Sequence, residues 1–125
     1  MAYSVTILES SKELTPKERV MYKDFSDAVK LDIGLESDEG IILYPDFYVL
    51  CKVDNDKARR DKEYFVLLVI DKAGTKYRTG SPTFIENFKA IYEDMKDVAE
   101  DWGIRVYGLP SKNFEGKSFL TCSVV

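Results

Sequence analysis

Cationic and aromatic side chains stand close together at several points of the chain. Lys57, Arg59, Arg60 and Lys62 fall within one polar stretch, DNDKARRDKE, while Lys76, Tyr77 and Arg78 are consecutive. Arg105 and Tyr107 are separated by a single residue, and Lys112, Asn113, Phe114 and Lys117 share a loop that leads into Phe119. Flat rings give bases a surface to stack on, and Lys or Arg gives phosphates a partner. That is the chemistry by which a groove holds a single-stranded nucleic acid. Each group also has a plainer reading. DNDKARRDKE reads as a solvated hairpin loop, and Tyr77 and Tyr107 as aromatics half-buried beside a core. Phe119 reads as packed under an N-terminal strand, and Phe114 as the anchor of its own loop.

Other chemistries find little support. The chain contains no histidine, which removes Ser-His and Cys-His nucleophile pairs, histidine bases and every histidine-containing zinc site. Its two cysteines, Cys51 and Cys122, cannot form a four-thiolate site. Both lie in strand-like runs, where they read as buried thiols of a reducing compartment. Asp54 and Asp56 lack the glycine and terminal glutamate of a calcium loop, and Asp97, Glu100 and Asp101 sit on the exposed face of an amphipathic helix. Neither group has a base, nucleophile or oxyanion donor beside it. No catalytic residue, metal ligand or cofactor is expected, and a carboxylate-dependent nuclease ranks last. No apolar run approaches the roughly 18 residues that cross a membrane, and MAYSVTILES lacks a signal peptide's basic and apolar regions. The expectation is a cytoplasmic protein with no membrane partner.

The elements that must position these residues are readable from periodicity. Phe84, Phe88, Ile91, Met95, Val98 and Trp102 fall four and three apart on one stripe, predicting a helix over 82–102. Ser81-Pro82 places proline at a first helical position, Thr83 and Glu86 read as a capping box, and Gly103 reads as a C′ glycine. Thr15, Pro16 and Glu18 repeat the start signal for a short helix over 16–24, with Val20, Met21 and Phe25 as its buried side. Strands are expected at 3–8, 28–36, 41–44, 47–53, 64–70 continuing at 75–79, 104–109 and 118–125. In the second of these Val29, Leu31, Ile33 and Leu35 alternate strictly with polar residues or glycine. The run 64–70 is apolar at nearly every position, so both its faces should be covered. Arg105 and Tyr107 fall opposite Ile104 and Val106; Phe119, Thr121 and Ser123 fall opposite Leu120, Cys122 and Val124.

This order predicts a mainly β fold with α elements, a five-stranded Greek-key barrel of the OB type. Its strands are 28–36, 47–53, 64–79, 104–109 and 118–125, with the long helix between the third and fourth plugging one end. The whole of 1–125 forms one domain, and 1–27 is an N-terminal extension packed on it. The alternative is an α+β sheet with the helix on one face. Charge agrees with a strand-borne site. Residues 40–85 and 102–125 each carry a net charge of +2, whereas 1–39 and 86–101 each carry −4. The acidic outer face of the long helix would repel a polyanion, which makes it scaffold.

The runs TGSPTFIENFKAIYEDM and IRVYGLPSKNFEGKSFLTCSVV resemble a group of small single-stranded-DNA-binding proteins from phages and mobile elements of Gram-positive bacteria. The resemblance covers roughly residues 75–125, with a weaker echo in ILESSKELTPKERV. It implies an OB-type protein that binds single strands with little sequence preference during phage or element replication and recombination. Its expected partners are single-stranded DNA or RNA and further copies of the chain. Many single-strand binders end in a flexible acidic tail that recruits replication enzymes, and the apolar FLTCSVV departs from that pattern. The runner-up is a phage or accessory protein-interaction module that uses strand edges and acidic helices and binds no nucleic acid.

Overall fold

The structure, a computed structural model, describes residues 3–31, 40–55, 63–98, 101–110 and 118–125. Its elements in chain order are β1 (Tyr3–Ser10), α1 (Pro16–Tyr22), β2 (Val29–Lys30), β3 (Ile41–Leu43), β4 (Pro45–Asn55), β5 (Glu63–Asp71), β6 (Lys76–Thr79), α2 (Pro82–Met95), β7 (Ile104–Pro110) and β8 (Ser118–Val124). They gather into two compact units, one comprising residues 1–29 and 46–80, the other 30–45 and 81–125. Each unit is built on its own sheet, with strand orders β1-β4-β5-β6-β2 and β3-β7-β8. The fold is a strand-rich mixture of α and β.

The sheets do not close into a barrel, which corrects the OB expectation. The reason lies in β1. Its alternating Val5 and Ile7 pair with Val53 and Cys51, and both pack on the core beneath β4. The N-terminal strand, expected as an addition, therefore occupies the place beside β4 that the first barrel strand would need. The strand expected over 28–36 is described only as Val29–Lys30, at the far edge beside β6, and residues 32–39 lie outside the described residues. The last two strands pair with β3 in the separate three-stranded sheet.

In the first unit β4 buries Phe47, Val49, Cys51 and Val53, every second residue, against Val66, Leu68 and Ile70 of β5. Leu67 and Val69 are buried as well, so residues on both faces of β5 are covered, as its continuous apolar run required. Thr15 starts α1 with both arms of a capping box. Its hydroxyl accepts from the Glu18 N–H at 3.2 Å, and the Glu18 carboxylate accepts from the Thr15 N–H at 3.1 Å. The buried side of α1 differs from expectation. Val20 is 72 % exposed and Met21 is exposed too, whereas Tyr22 is buried and meets Phe47 edge-on at 5.6 Å. A helix of seven residues turns only one narrow line inward, and the Tyr22 ring supplies it.

Lys76 ties β6 to the end of that helix. Its ammonium donates to the carbonyls of Met21 and Asp24 at 3.2 and 3.1 Å and lies 2.6 Å from the Asp27 carboxylate. A cation at the C-terminal carbonyls of a helix is favourably placed. Lys76→Met should lower stability by about 1–2 kcal/mol, because two carbonyls and a carboxylate lose their donor together. Thermal unfolding checks this; an unchanged Tm would mean that the lysine does not secure α1.

In the second unit Ser81 is the N-cap of α2, its hydroxyl accepting from the Phe84 N–H at 3.3 Å, with Pro82 at the first helical position. Thr83, expected to open a capping box, is inside the helix. The helix ends at Met95 with Lys96 as C-cap, seven residues before the expected end at 102. Phe84 and Phe88 are fully buried, but Val98 is exposed, and Trp102 returns from outside the helix to meet Tyr92 at 5.9 Å. Gly103 serves packing and is not a helix cap. A Cβ there would come within 2.8 Å of the Tyr44 ring.

Candidate nucleic-acid interface

The three-stranded sheet of the second unit brings the best-described candidates together. Along β7 the buried Ile104 and Val106 alternate with the half-buried Arg105 and Tyr107. Arg105 is directly opposite Ile42 on β3 and Ser123 on β8, and Tyr107 is opposite Thr121. Residues paired in this way share a face. The row Ile42, Arg105, Ser123 thus crosses all three strands, with Tyr107 and Thr121 beside it.

Within this face the Arg105 guanidinium lies over the Tyr107 ring, 4.7 Å from its centroid, a cation–π contact. The Arg105 Nε is closed off from solvent and has no hydrogen-bond acceptor. A buried donor in that state is costly, and a ligand oxygen would relieve it. Thr121 is buried and accepts from the Asn87 amide of α2 at 2.7 Å. The helix therefore closes the β8 side of the face. Exposure grows toward β3, where Ile42 is 57 % exposed. One cation, one flat ring and an exposed aliphatic side chain on a sheet can stack a base and hold one phosphate.

In the first unit the consecutive Lys76, Tyr77 and Arg78 do not form one site. Their partners on β5 are Ile70, Val69 and Leu68 in turn. Lys76 and Arg78 thus face the side of the core that holds Ile70 and Leu68, and Tyr77 faces the other side. The Lys76 charge is engaged by α1 and the turn that follows it. Burial, with a lesser contribution from Asp71, pushes the Tyr77 phenol above its ordinary pKa, in keeping with a half-buried ring. The Arg78 Nε, like that of Arg105, is closed off without an acceptor.

Lys57, Arg59, Arg60, Lys62, Lys112, Asn113, Phe114 and Lys117 lie outside the described residues. Phe119 is placed opposite Leu109 by the strand register, and its side chain is likewise outside them. Ile42, Tyr64 and Phe65 carry no signal in the sequence yet stand exposed in the fold, as do Leu8 and Tyr44. Tyr64 and Phe65 are at the head of β5, directly after the basic stretch.

Both thiols are buried, and burial pushes Cys51 up to about 11 and Cys122 up to about 12. Neither is a thiolate at neutral pH. Among the described residues no cluster of three metal-ligating side chains occurs, and no helix is long and apolar enough to cross a membrane. Comparison of the chain with protein-family models, with curated proteins and with solved structures gave no match.

Proposed function

We propose that the protein binds single-stranded DNA with little sequence preference, in the replication or recombination of a phage or mobile element. The observation that carries this reading is the Arg105–Tyr107 pair, a guanidinium stacked on a ring in the middle of a sheet face whose β3 side is open. The resemblance of residues 75–125 to single-strand binders and the basic stretches around Arg59 and Lys112 support it. Tyr107 would stack on a base and Arg105 would hold a phosphate. Lys76 is left out of the phosphate set because its ammonium is engaged within its own unit.

A labelled oligothymidine titrated at about 50 mM and about 200 mM salt tests the reading. Binding should weaken as salt rises, with a slope near −0.7 for each phosphate neutralised on a single strand. Tyr107→Ala should raise Kd about tenfold, the effect of one lost stacking contact. Absence of binding at the lower salt would sink the proposal. The second reading, a protein-interaction module, rests on the exposed Val20 and Met21 of α1. It is favoured if the chain self-associates and ignores the oligonucleotide.

A further inference from the structure

We infer that copies of this chain bind one another head to tail, the exposed face of α1 on one copy seating against the acidic face of α2 on the next. The contact needs no nucleic acid and stands apart from the single-strand-binding reading. On α1, Val20 and Met21 are exposed side by side. Lys17 precedes them by three and four residues, and Lys23 follows Val20 by three, so two cations bracket an apolar pair on one side of the helix. Lys17, Arg19 and Lys23 are all exposed and have no acidic partner among the described residues. Glu13 precedes the N-cap, and the other nearby carboxylates are turned elsewhere. Glu18 meets Lys12 at 3.0 Å and accepts from the Thr15 N–H, and Asp24, beyond the helix, accepts from the Ser26 N–H.

The same chain carries the complement. Phe84 and Phe88 define the buried side of α2, and its outward side exposes Glu86, Ala90, Glu93 and Asp94. Glu86 and Asp94 each stand one turn from Ala90, so two carboxylates bracket the smallest exposed side chain of the helix. Neither has a cationic partner among the described residues, whereas Glu93 is held by Lys96 at 2.8 Å. The two faces match in sign and in length. At 1.5 Å per residue, Lys17 and Lys23 are about 9 Å apart along their helix and Glu86 and Asp94 about 12 Å along theirs, a difference that flexible lysine side chains span. Val20 and Met21 then meet the low ground at Ala90. A nucleic acid would reach the lysines yet find no ring beside them on which to stack a base. Because the two surfaces differ, the contact is heterologous, and each copy keeps one free face with which to extend the assembly. It buries about two helical turns on each side, which places it among the weak, transient interfaces.

Sedimentation equilibrium from about 10 μM to about 1 mM protein, with no oligonucleotide present, tests the contact. The wild-type mass should rise with concentration, and the rise should fade at about 1 M salt, where charges are screened beyond roughly 3 Å. Val20→Gln with Met21→Gln removes the apolar pair, and Glu86→Gln with Asp94→Asn removes the bracketing carboxylates. Each double variant alone should stay monomeric. Their equimolar mixture should form a dimer and nothing larger, since one chain keeps an intact α2 face and the other an intact α1 face. All four positions are exposed, so Tm should hold. A wild-type chain still monomeric at about 1 mM would overturn the contact and leave the α1 face to a different partner. A double variant that associates like the wild type, or a mixture that stays monomeric while the wild type associates, would overturn it too. Should a double variant lose Tm, Met21→Gln and Asp94→Asn alone decide, each expected to weaken self-association about tenfold; unaltered association in both would overturn the contact.

Discussion

Gly40→Ala is expected to destabilise the protein by about 3 kcal/mol or more, because backbone strain and a backbone clash fall on the same residue. Gly40 precedes β3 with φ of +71°, a conformation that costs an L residue roughly 1–2 kcal/mol. Space compounds the strain. A Cβ at this position would lie 2.1 Å from the Val106 carbonyl oxygen and 2.9 Å from the Tyr107 Cβ. The first of these is backbone in the middle of a sheet, so it cannot swing aside as the end of a flexible side chain would. Either β3 leaves β7 or β7 moves, and the Arg105–Tyr107 pair moves with it. A fall in Tm of roughly 10 °C or more should be measured, together with weaker oligonucleotide binding. Gly74→Ala separates the two causes. Gly74 has φ of +89° but nothing within 4 Å of an added Cβ, so only the dihedral cost should appear. A Gly40→Ala variant no worse than Gly74→Ala would show that the close approach of β3 to β7 is wrong.

Phe88→Ala should cost about 3–5 kcal/mol, the usual range for removing a large ring from a well-packed interior. Phe88 is fully buried, stacked against Phe84 at 5.9 Å and tilted against Tyr92 at 6.0 Å. Tyr92 in turn touches Trp102, so denaturant unfolding followed by tryptophan fluorescence reports on the same chain of rings. Val98→Ala gives the contrast. The heptad-like stripe makes Val98 equivalent to Phe88, yet Val98 is exposed beyond the end of α2, and its loss should fall within about 0.5 kcal/mol. Equal losses at the two positions would mean that the helix continues past Met95.

These contrasts mark what is legible in the sequence. Both helix starts are, because a cap is a local device of three or four residues whose geometry does not depend on the rest of the fold. Thr15 with Glu18, and Ser81 with Pro82, need no knowledge of neighbours. The helix ends are less legible, since the apolar spacing that continues to Trp102 is satisfied by a separate segment that doubles back onto Tyr92. Strand positions follow from alternation, but strand order does not. Which strand lies beside β4 is decided by long-range pairing, and the half-buried Val5 and Ile7 of β1 take that place.

The candidate interface divides in the same way. Arg105 and Tyr107 share a face because they are two apart on a strand, which alternation alone predicts. The same rule separates Tyr77 from Lys76 and Arg78, so nearness in sequence is no ground for grouping the three. Tyr64 and Phe65 are illegible for another reason. In the sequence they merge with the buried run that follows, and their exposure depends on where the covering elements stop.

The route of the chain between the two units bears on how the protein must be made. The polypeptide crosses from one unit to the other at residues 29–30, 45–46 and 80–81, so neither unit is a continuous segment. By the time residue 80 has left the ribosome every strand of the first sheet exists, and that unit can close around an excursion of sixteen residues, 30–45. The second unit has to wait. Its edge strand β3 is synthesised long before its partner β7, roughly sixty residues later, and the entropic cost of closing that loop is met only once β7 has emerged. Until then Ile41, Ile42 and Leu43 are an apolar stretch whose sheet partner does not yet exist, and Pro45, two residues beyond Leu43, disfavours continued strand pairing there. Cutting the chain after residue 80 would leave the first sheet whole and strip the second of β3. The face that bears Arg105 and Tyr107 thus belongs to the unit whose strands are the last to be all present on the growing chain.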